Sequence, residues 1–316
     1  MAYPVESTYA TQYDVGATYS GVYIPEIWSG KLVEKFYAAT VFGEIANTDY
    51  EGEISGMGDQ VNIRTVPDIT ITNYEIGDVL TYQQPASANV TLLIDQGKYF
   101  AFRIDDVEKH QTDLQLMNDW ADDASQQMKI TVDTDILLDT GKGLLPDVPA
   151  ENQGSAAGVI SASIPLGNAT TGIALTAANI LNTIVDLGTV LDEQNVPESG
   201  RWLILDARAI GLIKKSDLKD ASLAGDGTSI LRNGRVGMID RFTIFLSNNV
   251  PRGVGAGSST IGYAGHKSAL TFASQFTNME TLRAESTFGD LMRGLNVFGY
   301  ETIKPEALAA LHYTVA

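Results

Sequence analysis

The sequence contains no cysteine, which excludes disulfide stapling and thiolate metal sites. Histidine is nearly absent too: His110, His266 and His312 are the only three, on separate segments. None has the H-x-x-x-H spacing that sets two ligands on one helix face, so surface or capping roles are expected for them. Cations are scarce, with 21 Lys and Arg against 39 Asp and Glu and a formal net charge of −18. Nucleic acid is held chiefly through Lys and Arg contacts to phosphate, so specific DNA or RNA recognition is not expected. Acidity alone fits two readings, solubility at high concentration or a wall to which DNA does not stick. No apolar run reaches membrane-spanning length, and Met1-Ala2-Tyr3-Pro4-Val5-Glu6 has neither the basic nor the apolar region of a signal peptide. No membrane contact is expected, and synthesis in the cytoplasm is.

The usual signatures of catalysis are also missing. There is no G-x-x-x-x-G-K-[ST] and no G-x-S-x-G, so phosphate-loop and nucleophile-elbow chemistry have no support. Gly253-Val254-Gly255-Ala256-Gly257 lacks the continuation and the helix that cradle a pyrophosphate, and reads as a linker. Asp105-Asp106 and Asp122-Asp123 are adjacent pairs, whose side chains point apart on a helix. Asp133 and Asp135 lack the glycine and terminal glutamate of an EF-hand loop. No catalytic residue, cofactor or metal site is expected, and the chain does not read as an enzyme.

What is present is a long acidic helix, expected from Thr112 to about Thr140. Thr112 with Gln115 reads as a capping box, and Gly141, Gly143 and Pro146 as the stop. Leu114, Met117, Ala121, Ala124, Met128 and Val132 recur at helical steps and form one apolar stripe. Asp119, Asp122, Asp123, Gln126, Gln127 and Asp133 take most of the remaining surface. At 1.5 Å per residue the rod measures roughly 40 Å.

Ahead of the helix, residues 1 to about 24 are rich in Tyr, Ser, Thr and Gly and read as an extended arm that orders on a neighbour. Pro25 then opens a short helix carrying Ile27, Trp28, Leu32, Phe36 and Ala39. From Asp49 to Asp105 the pattern has period two. Val61, Ile63 and Thr65 lead out and Val90, Leu92 and Ile94 lead back, which predicts a long hairpin with a wide polar tip. Such a hairpin is marginal in water and needs a partner surface. Tyr99 to Ile104 is a separate, greasier strand.

After the helix, Gly154 to Gly172 is a small-residue loop region, and a mixed α/β segment follows. Thr176 is expected to cap a helix to about Gln194 with Ile180, Ile184, Leu187 and Leu191 inward. Trp202 to Asp206 reads as a buried strand, Ala207 to Lys215 as a short helix, Gly225 to Ser229 as a flexible loop and Gly237 to Phe245 as one strand. Strand-like runs at Ile261–Ala264 and Leu295–Tyr300 return to a sheet.

In this order the pieces resemble a tailed-bacteriophage major capsid protein of the Hong Kong 97 type. The more specific stretches are Asn47-Thr48-Asp49-Tyr50-Glu51-Gly52 with Gly58-Asp59 and Val61-Asn62-Ile63, then Tyr99-Phe100-Ala101-Phe102-Arg103-Ile104-Asp105-Asp106. Further on come Gly237-Met238-Ile239-Asp240-Arg241-Phe242, Ser247-Asn248-Asn249-Val250-Pro251 and Ala264-Gly265-His266-Lys267-Ser268-Ala269. Phe288-Gly289-Asp290 and Gly294-Leu295-Asn296-Val297-Phe298-Gly299-Tyr300 close the series.

The resemblance implies an α+β fold with an N-terminal arm, an extended β-hairpin loop, a long spine helix, a peripheral domain and an axial domain. The expected division is 1–48 for the arm and short helix and 49–98 for the extended loop. Residues 99–144 would hold the peripheral strand and spine helix, 145–255 the axial domain, and 256–316 the return to the peripheral domain. It also implies a subunit that self-assembles as pentamers and hexamers into the icosahedral head around a double-stranded DNA genome. Portal protein and a possible decoration protein are implied partners, with assembly in the host bacterial cytoplasm and residence in the virion. Many relatives carry a long, charged, helical scaffold segment at the N-terminus. Here only about two dozen arm residues precede the first helix, so a separate scaffolding protein is expected. Some relatives crosslink a loop lysine to a neighbour's asparagine, whereas no lysine lies between Lys35 and Lys98 here, so no such crosslink is expected. Arg64, Arg103, Arg241 and Arg293 are candidate intersubunit ion pairs because cations are few, and Asp68, Tyr74 and Tyr82 are candidate contacts on the loop. Two other readings differ in class: an encapsulin-like bacterial nanocompartment shell, which neighbouring genes would distinguish, and an acidic soluble enzyme, which would be a monomer or small oligomer.

Overall fold

The computed structural model describes residues 38, 40–49, 60–67, 69–85, 89–111, 116–138, 141–216, 237–252, 259–285 and 287–315. The expected arm, the Pro25 helix, the Thr112 cap, the Gly225 loop, the Gly253 linker and Asp68 lie outside the described residues.

In chain order the elements are α1 (Phe42–Ile45), β1 (Gln60–Arg64), β2 (Asn89–Leu93), β3 (Gln96–Asp105), α2 (Asp106–Gln111), α3 (Leu116–Ile136) and α4 (Leu144–Asp147). Then come β4 (Ile173–Leu175), α5 (Ile180–Glu193), β5 (Arg201–Leu205), α6 (Ala207–Lys215), β6 (Met238–Ile239) and β7 (Phe242–Leu246). The chain continues with β8 (Thr260–His266), β9 (Leu270–Arg283), β10 (Gly289–Thr302) and β11 (Leu308–Val315). These strands make a β1-β2 ribbon, a β3-β10-β9 sheet and a six-stranded β4-β11-β8-β5-β7-β6 sheet.

The large sheet holds most of the core. Strand β5, Arg-Trp-Leu-Ile-Leu, is buried at every position, as a strand covered on both faces must be. It runs parallel to β7 and antiparallel to β8. Helix α5 buries Ile180, Ile184, Leu187 and Leu191 as expected, but it starts at Ile180 rather than at Thr176. Residues 176–179 form a turn instead, in which the Thr176 amide donates to Asn179 Oδ1 at 2.7 Å. Helix α6 matches its expected span, and Asp206 Oδ1 caps it by accepting from the Ala209 amide at 2.9 Å. The expected single strand Gly237 to Phe245 is a hairpin of β6 and β7. Asp240 and Arg241 both adopt positive φ, 45° and 67°, the two-residue geometry that matches strand twist.

The sheets do not respect a division at residue 255. β8 and β11, from the last segment, pair with β5 and β4 in the large sheet, whereas β9 and β10 pair with β3. Residues 256–316 thus build both bodies, because a returning chain completes whichever sheet has an open edge.

Helix α3 crosses one face of the small sheet, where Phe102 meets Trp120 edge-on at 5.7 Å. Phe100 lies over Gly294, at which any Cβ would stand inside the ring. The helix has 21 residues, about 31 Å, and ends at Ile136, short of the expected glycine stop. Its final carbonyls are taken by side chains from both sheets. Tyr263 Oη donates to the Leu137 and Leu138 oxygens at 3.1 and 3.2 Å, and Tyr300 Oη to Asp135 O at 3.2 Å. Two tyrosines thereby satisfy the end that glycines were expected to close.

The hairpin departs from expectation in two ways. Its base has a core, in which Ile63, Leu92 and Ile94 pack with Ala273 of β9. Beyond Arg64 and Asn89, where the β1–β2 pairing stops, the described residues among 65–85 form no strand, and the tip is apolar rather than polar.

Candidate assembly surfaces

In the tip, Val66, Ile71, Ile76, Val79 and Tyr82 are each at least 88% exposed, and Ile69, Tyr74 and Leu80 are largely exposed too. Large apolar side chains left together in water mark a contact surface. The tip is nonetheless ordered locally. The Asp78 amide donates to Glu75 O at 3.1 Å, and Asp78 Oδ2 accepts from the Glu75 amide at 2.9 Å. Gly77 at φ 101° completes this turn and leaves Ile76 at its apex. Across the loop, the Gln83 side chain bonds both backbone groups of Thr70, at 3.1 and 2.8 Å. One amide side chain thus does the work of a ladder rung.

The root of the loop is strapped to the end of α3. Lys98 Nζ reaches Asp135 Oδ2 at 2.6 Å, and Lys142 pairs with Asp95 at the β2–β3 corner. The Lys142 hydrogen bond holds the Asp95 carboxyl below its ordinary value. Burial, with the nearby Asp135, Asp95, Asp147 and Glu301 charges, pushes the Tyr300 phenol up to about 12.

The face of the small sheet opposite α3 is open. A groove of about 520 Å³ lies there among Tyr99, Ala101, Asn278, Glu280, Arg293 and Leu295. Register places Arg293 across from Ala101 and Glu280, and Leu291 across from Arg103, so Arg103 and Arg293 share this face. Arg293 bonds Glu280 Oε2 at 2.6 and 3.0 Å, and Arg103 Nη1 donates to Thr287 Oγ1 at 3.2 Å. The other expected contact residues lie elsewhere. Arg64 is exposed at the end of β1, Tyr74 and Tyr82 are on the tip, and Arg241 belongs to the large sheet. There it pairs with Asp192 at 2.7 Å and Glu198 at 3.3 Å. Asp192 also holds Arg201, whose fully buried guanidinium donates to Val196 O at 2.6 Å and Pro197 O at 2.9 Å.

Asp133, expected on the polar surface of the helix, is completely buried. Its Oδ1 accepts from the Val41 and Phe42 amides at 2.8 and 2.9 Å, and its Oδ2 from Asn249 Nδ2 at 2.7 Å. One carboxylate therefore joins α3, the entry to α1 and the loop after β7. Burial pushes its pKa up, against the pull of those hydrogen bonds. Two of the three histidines are structural: His266 bonds Ser268 Oγ and Ser199 O at 2.8 and 2.9 Å, and His312 is buried near Ser259. Among the described residues no cluster of three His, Asp or Glu is placed to hold a metal ion.

A family model described as phage capsid protein matches residues 89–311. The chain belongs to the phage capsid protein family. A structure from Mycobacterium phage Che8 is 27% identical over 92% of this chain and 97% of its own, with a TM-score of 0.74. The capsid of Cyanophage P-SCSP1u is 16% identical over 96% of both chains, with a TM-score of 0.72. The capsid of a native GTA particle is 13% identical over 96% and 100%, with a TM-score of 0.67. No protein with a curated description matches. The fold is of the Hong Kong 97 type, as the resemblance implied. The capsid chain is a major capsid protein, structural rather than enzymatic, and the alternative readings are not favoured.

A second apolar point of this capsid chain is the loop after α4, where Val159 and Ile160 are exposed. Glu193 Oε2 accepts from the Ile160 and Ser161 amides at 2.8 and 3.1 Å, and these bonds hold its carboxyl below the ordinary value. Because the folded pKa is depressed, the clamp is complete above the ordinary carboxylate range and is lost as pH falls through the folded pKa. The protection of the two amides from hydrogen exchange, relative to their intrinsic rates, is therefore expected to fall between neutral and strongly acidic pH. In Glu193→Gln that pH-dependent loss of protection should vanish; if it persists, the clamp is not what protects them.

Proposed function

We propose that this capsid subunit closes into its shell as pentamers and hexamers of identical copies, each tip resting on a neighbour. The single observation that supports this is the tip itself, whose apolar side chains are exposed and find no cover among the described residues. Contacts in which one patch meets a different patch on the next copy close into shells when curvature allows. The base of the hairpin, packed on β9, supplies the fixed end that such an arm needs. Arg64, Asp68, Tyr74, Tyr82, Arg103, Arg241 and Arg293 are the proposed intersubunit residues, with 49–98 as the extended loop and 145–255, completed by β8 and β11, as the axial domain. A separate scaffolding protein, a portal protein and a possible decoration protein complete the proposed partners, with assembly in the host cytoplasm. Negative-stain microscopy of the purified chain, with scaffold supplied, should show closed particles. A persistent monomer under all assembly conditions would overturn the proposal.

The DNA inside is enclosed without specific binding. With a net charge of −18, contact lacks the counterion release that drives adhesion. Empty shells should retain DNA weakly at low salt, and tight, salt-sensitive retention would reject this. The shell is also expected to lack lysine crosslinks, since residues 36–97 contain no lysine and Lys98 is engaged with Asp135. Mass spectrometry of boiled particles should find only single chains; covalent multimers would contradict it.

A further inference from the structure

We infer that Gly299 is the positioning residue of the extended loop: its bare Cα lets the β2–β3 corner settle at one depth on β10, and two lysine–aspartate pairs lock the direction in which the loop leaves the subunit. This rests on the proposed reading of the loop as an intersubunit arm and adds what aims it. Three observations meet at the corner. The first is a close approach of backbone to backbone. A Cβ at Gly299 would stand 2.0 Å from Leu93 O, 2.9 Å from Leu93 C and 3.0 Å from Ile94 Cα. These are main-chain atoms, so no change of rotamer makes room. Gly299 does not have the positive φ that calls for glycine, so the fold uses its small size rather than its flexibility. The second is the floor. Gly299 pairs with Ala273 across β10 and β9, and Ala273 packs with Ile63, Leu92 and Ile94 of the hairpin base. Two small residues side by side thus form a notch that takes the base. The third is charge. Lys142 holds Asp95, the residue after Ile94, and Lys98 holds Asp135 of α3 at 2.6 Å.

The sheet changes course at the same spot. β3 stops pairing with β10 at Phe298, and the β9–β10 register shifts between Val297 and Phe298, an irregularity that bends and twists the strands. From Leu93 the return strand runs roughly 13 Å to Asn89 before the tip begins, so a small tilt at the root becomes a larger displacement at Ile76. Contacts between unlike patches close into a shell only at a rotation that closes, and an arm aimed elsewhere gives open or misshapen growth. Exposed ion pairs add little to folding. Here they act on an angle instead, resisting the swing that a single point of support leaves free.

The test uses the full chain and reads loop direction and assembly separately. The chain has no cysteine, so spin labels on Ile76→Cys and Glu306→Cys report the distance from tip to body in the unassembled subunit. Gly299→Ala should shift the most probable distance. With scaffold supplied, it should also lower the yield of closed particles of parental diameter about tenfold or more, the penalty of an added methyl in a tight contact. Gly97→Ala, at the same corner but with nothing within 4 Å of its Cβ, should change neither. Lys142→Asp sets two carboxylates together and should broaden the distance distribution. Adding Asp95→Lys should narrow it again, which repair of a general folding defect would not do, and this pair of variants carries the test if Gly299→Ala does not fold. An unshifted distance in a folded Gly299→Ala chain, or an unbroadened one in Lys142→Asp, would overturn the aiming root and leave the arm standing. A displaced loop with a normal yield of parental particles would sink the arm reading and this inference with it.

Discussion

Replacing Ile71, Ile76, Val79 and Tyr82 together with serine is expected to leave the subunit folded and to stop it closing into particles. These side chains lie in water on the single chain, so surface substitution there should change subunit stability by no more than about 0.5 kcal/mol. In an interface each would bury apolar surface worth about 1.5–3 kcal/mol. Even half of the combined loss weakens each contact by roughly a hundredfold or more, and a shell multiplies that penalty over every arm it contains. Sedimentation and negative-stain microscopy would report the missing particles, and thermal denaturation the intact subunit. Normal particles from the quadruple variant would show that the tip carries no contact.

The opposite partition is expected at Asp133, where the subunit itself should fail. Asp133→Leu leaves the Val41 and Phe42 amides and the Asn249 side chain without their acceptor in a buried place. Unsatisfied buried donors cost about 1–3 kcal/mol each, and removing a buried charge's place in its network is costly as well. A loss of about 3 kcal/mol or more in urea denaturation is expected. Asp133→Asn keeps the shape and one accepting oxygen, and should lose roughly half as much. Limited proteolysis should cut more readily near residue 41 in both, since that segment is held by the lost acceptor. A leucine variant as stable as the parent would show that the junction is redundant.

These two sites also mark how far the sequence could be read. Local patterns were legible: the buried strand at Trp202, the span of α6, the inward stripe of α5 and the alternation at the hairpin base all follow from near neighbours. Asp133 was not, because an acid on a helix reads as a solvent-facing residue. Its partners are Val41 and Asn249, 92 and 116 residues away in the chain, and no short-range period encodes such a meeting. The end of α3 failed for the same reason, since Tyr263 arrives from 125 residues beyond Leu138. The tip was misread in a more instructive way. Ile69-Thr70-Ile71-Thr72 alternates like a strand with one buried face, and a surface held in reserve for another molecule produces the same alternation. Arginine scarcity pointed to Arg103 and Arg293 but not to their shared face, which only the pairing of β3 with β10 creates.

The position of β11 bears on when the subunit becomes competent. This strand, Leu308–Val315, lies inside the large sheet between β4 and β8, with Leu308 to Tyr313 buried. While the ribosome is still making residues before 308, β4 and β8 have no strand to join them. Tyr313, whose hydroxyl bonds Asp206 at 2.9 Å, is also missing. Pairings between such distant stretches form slowly, so a nascent polypeptide spends its synthesis with an unfinished sheet.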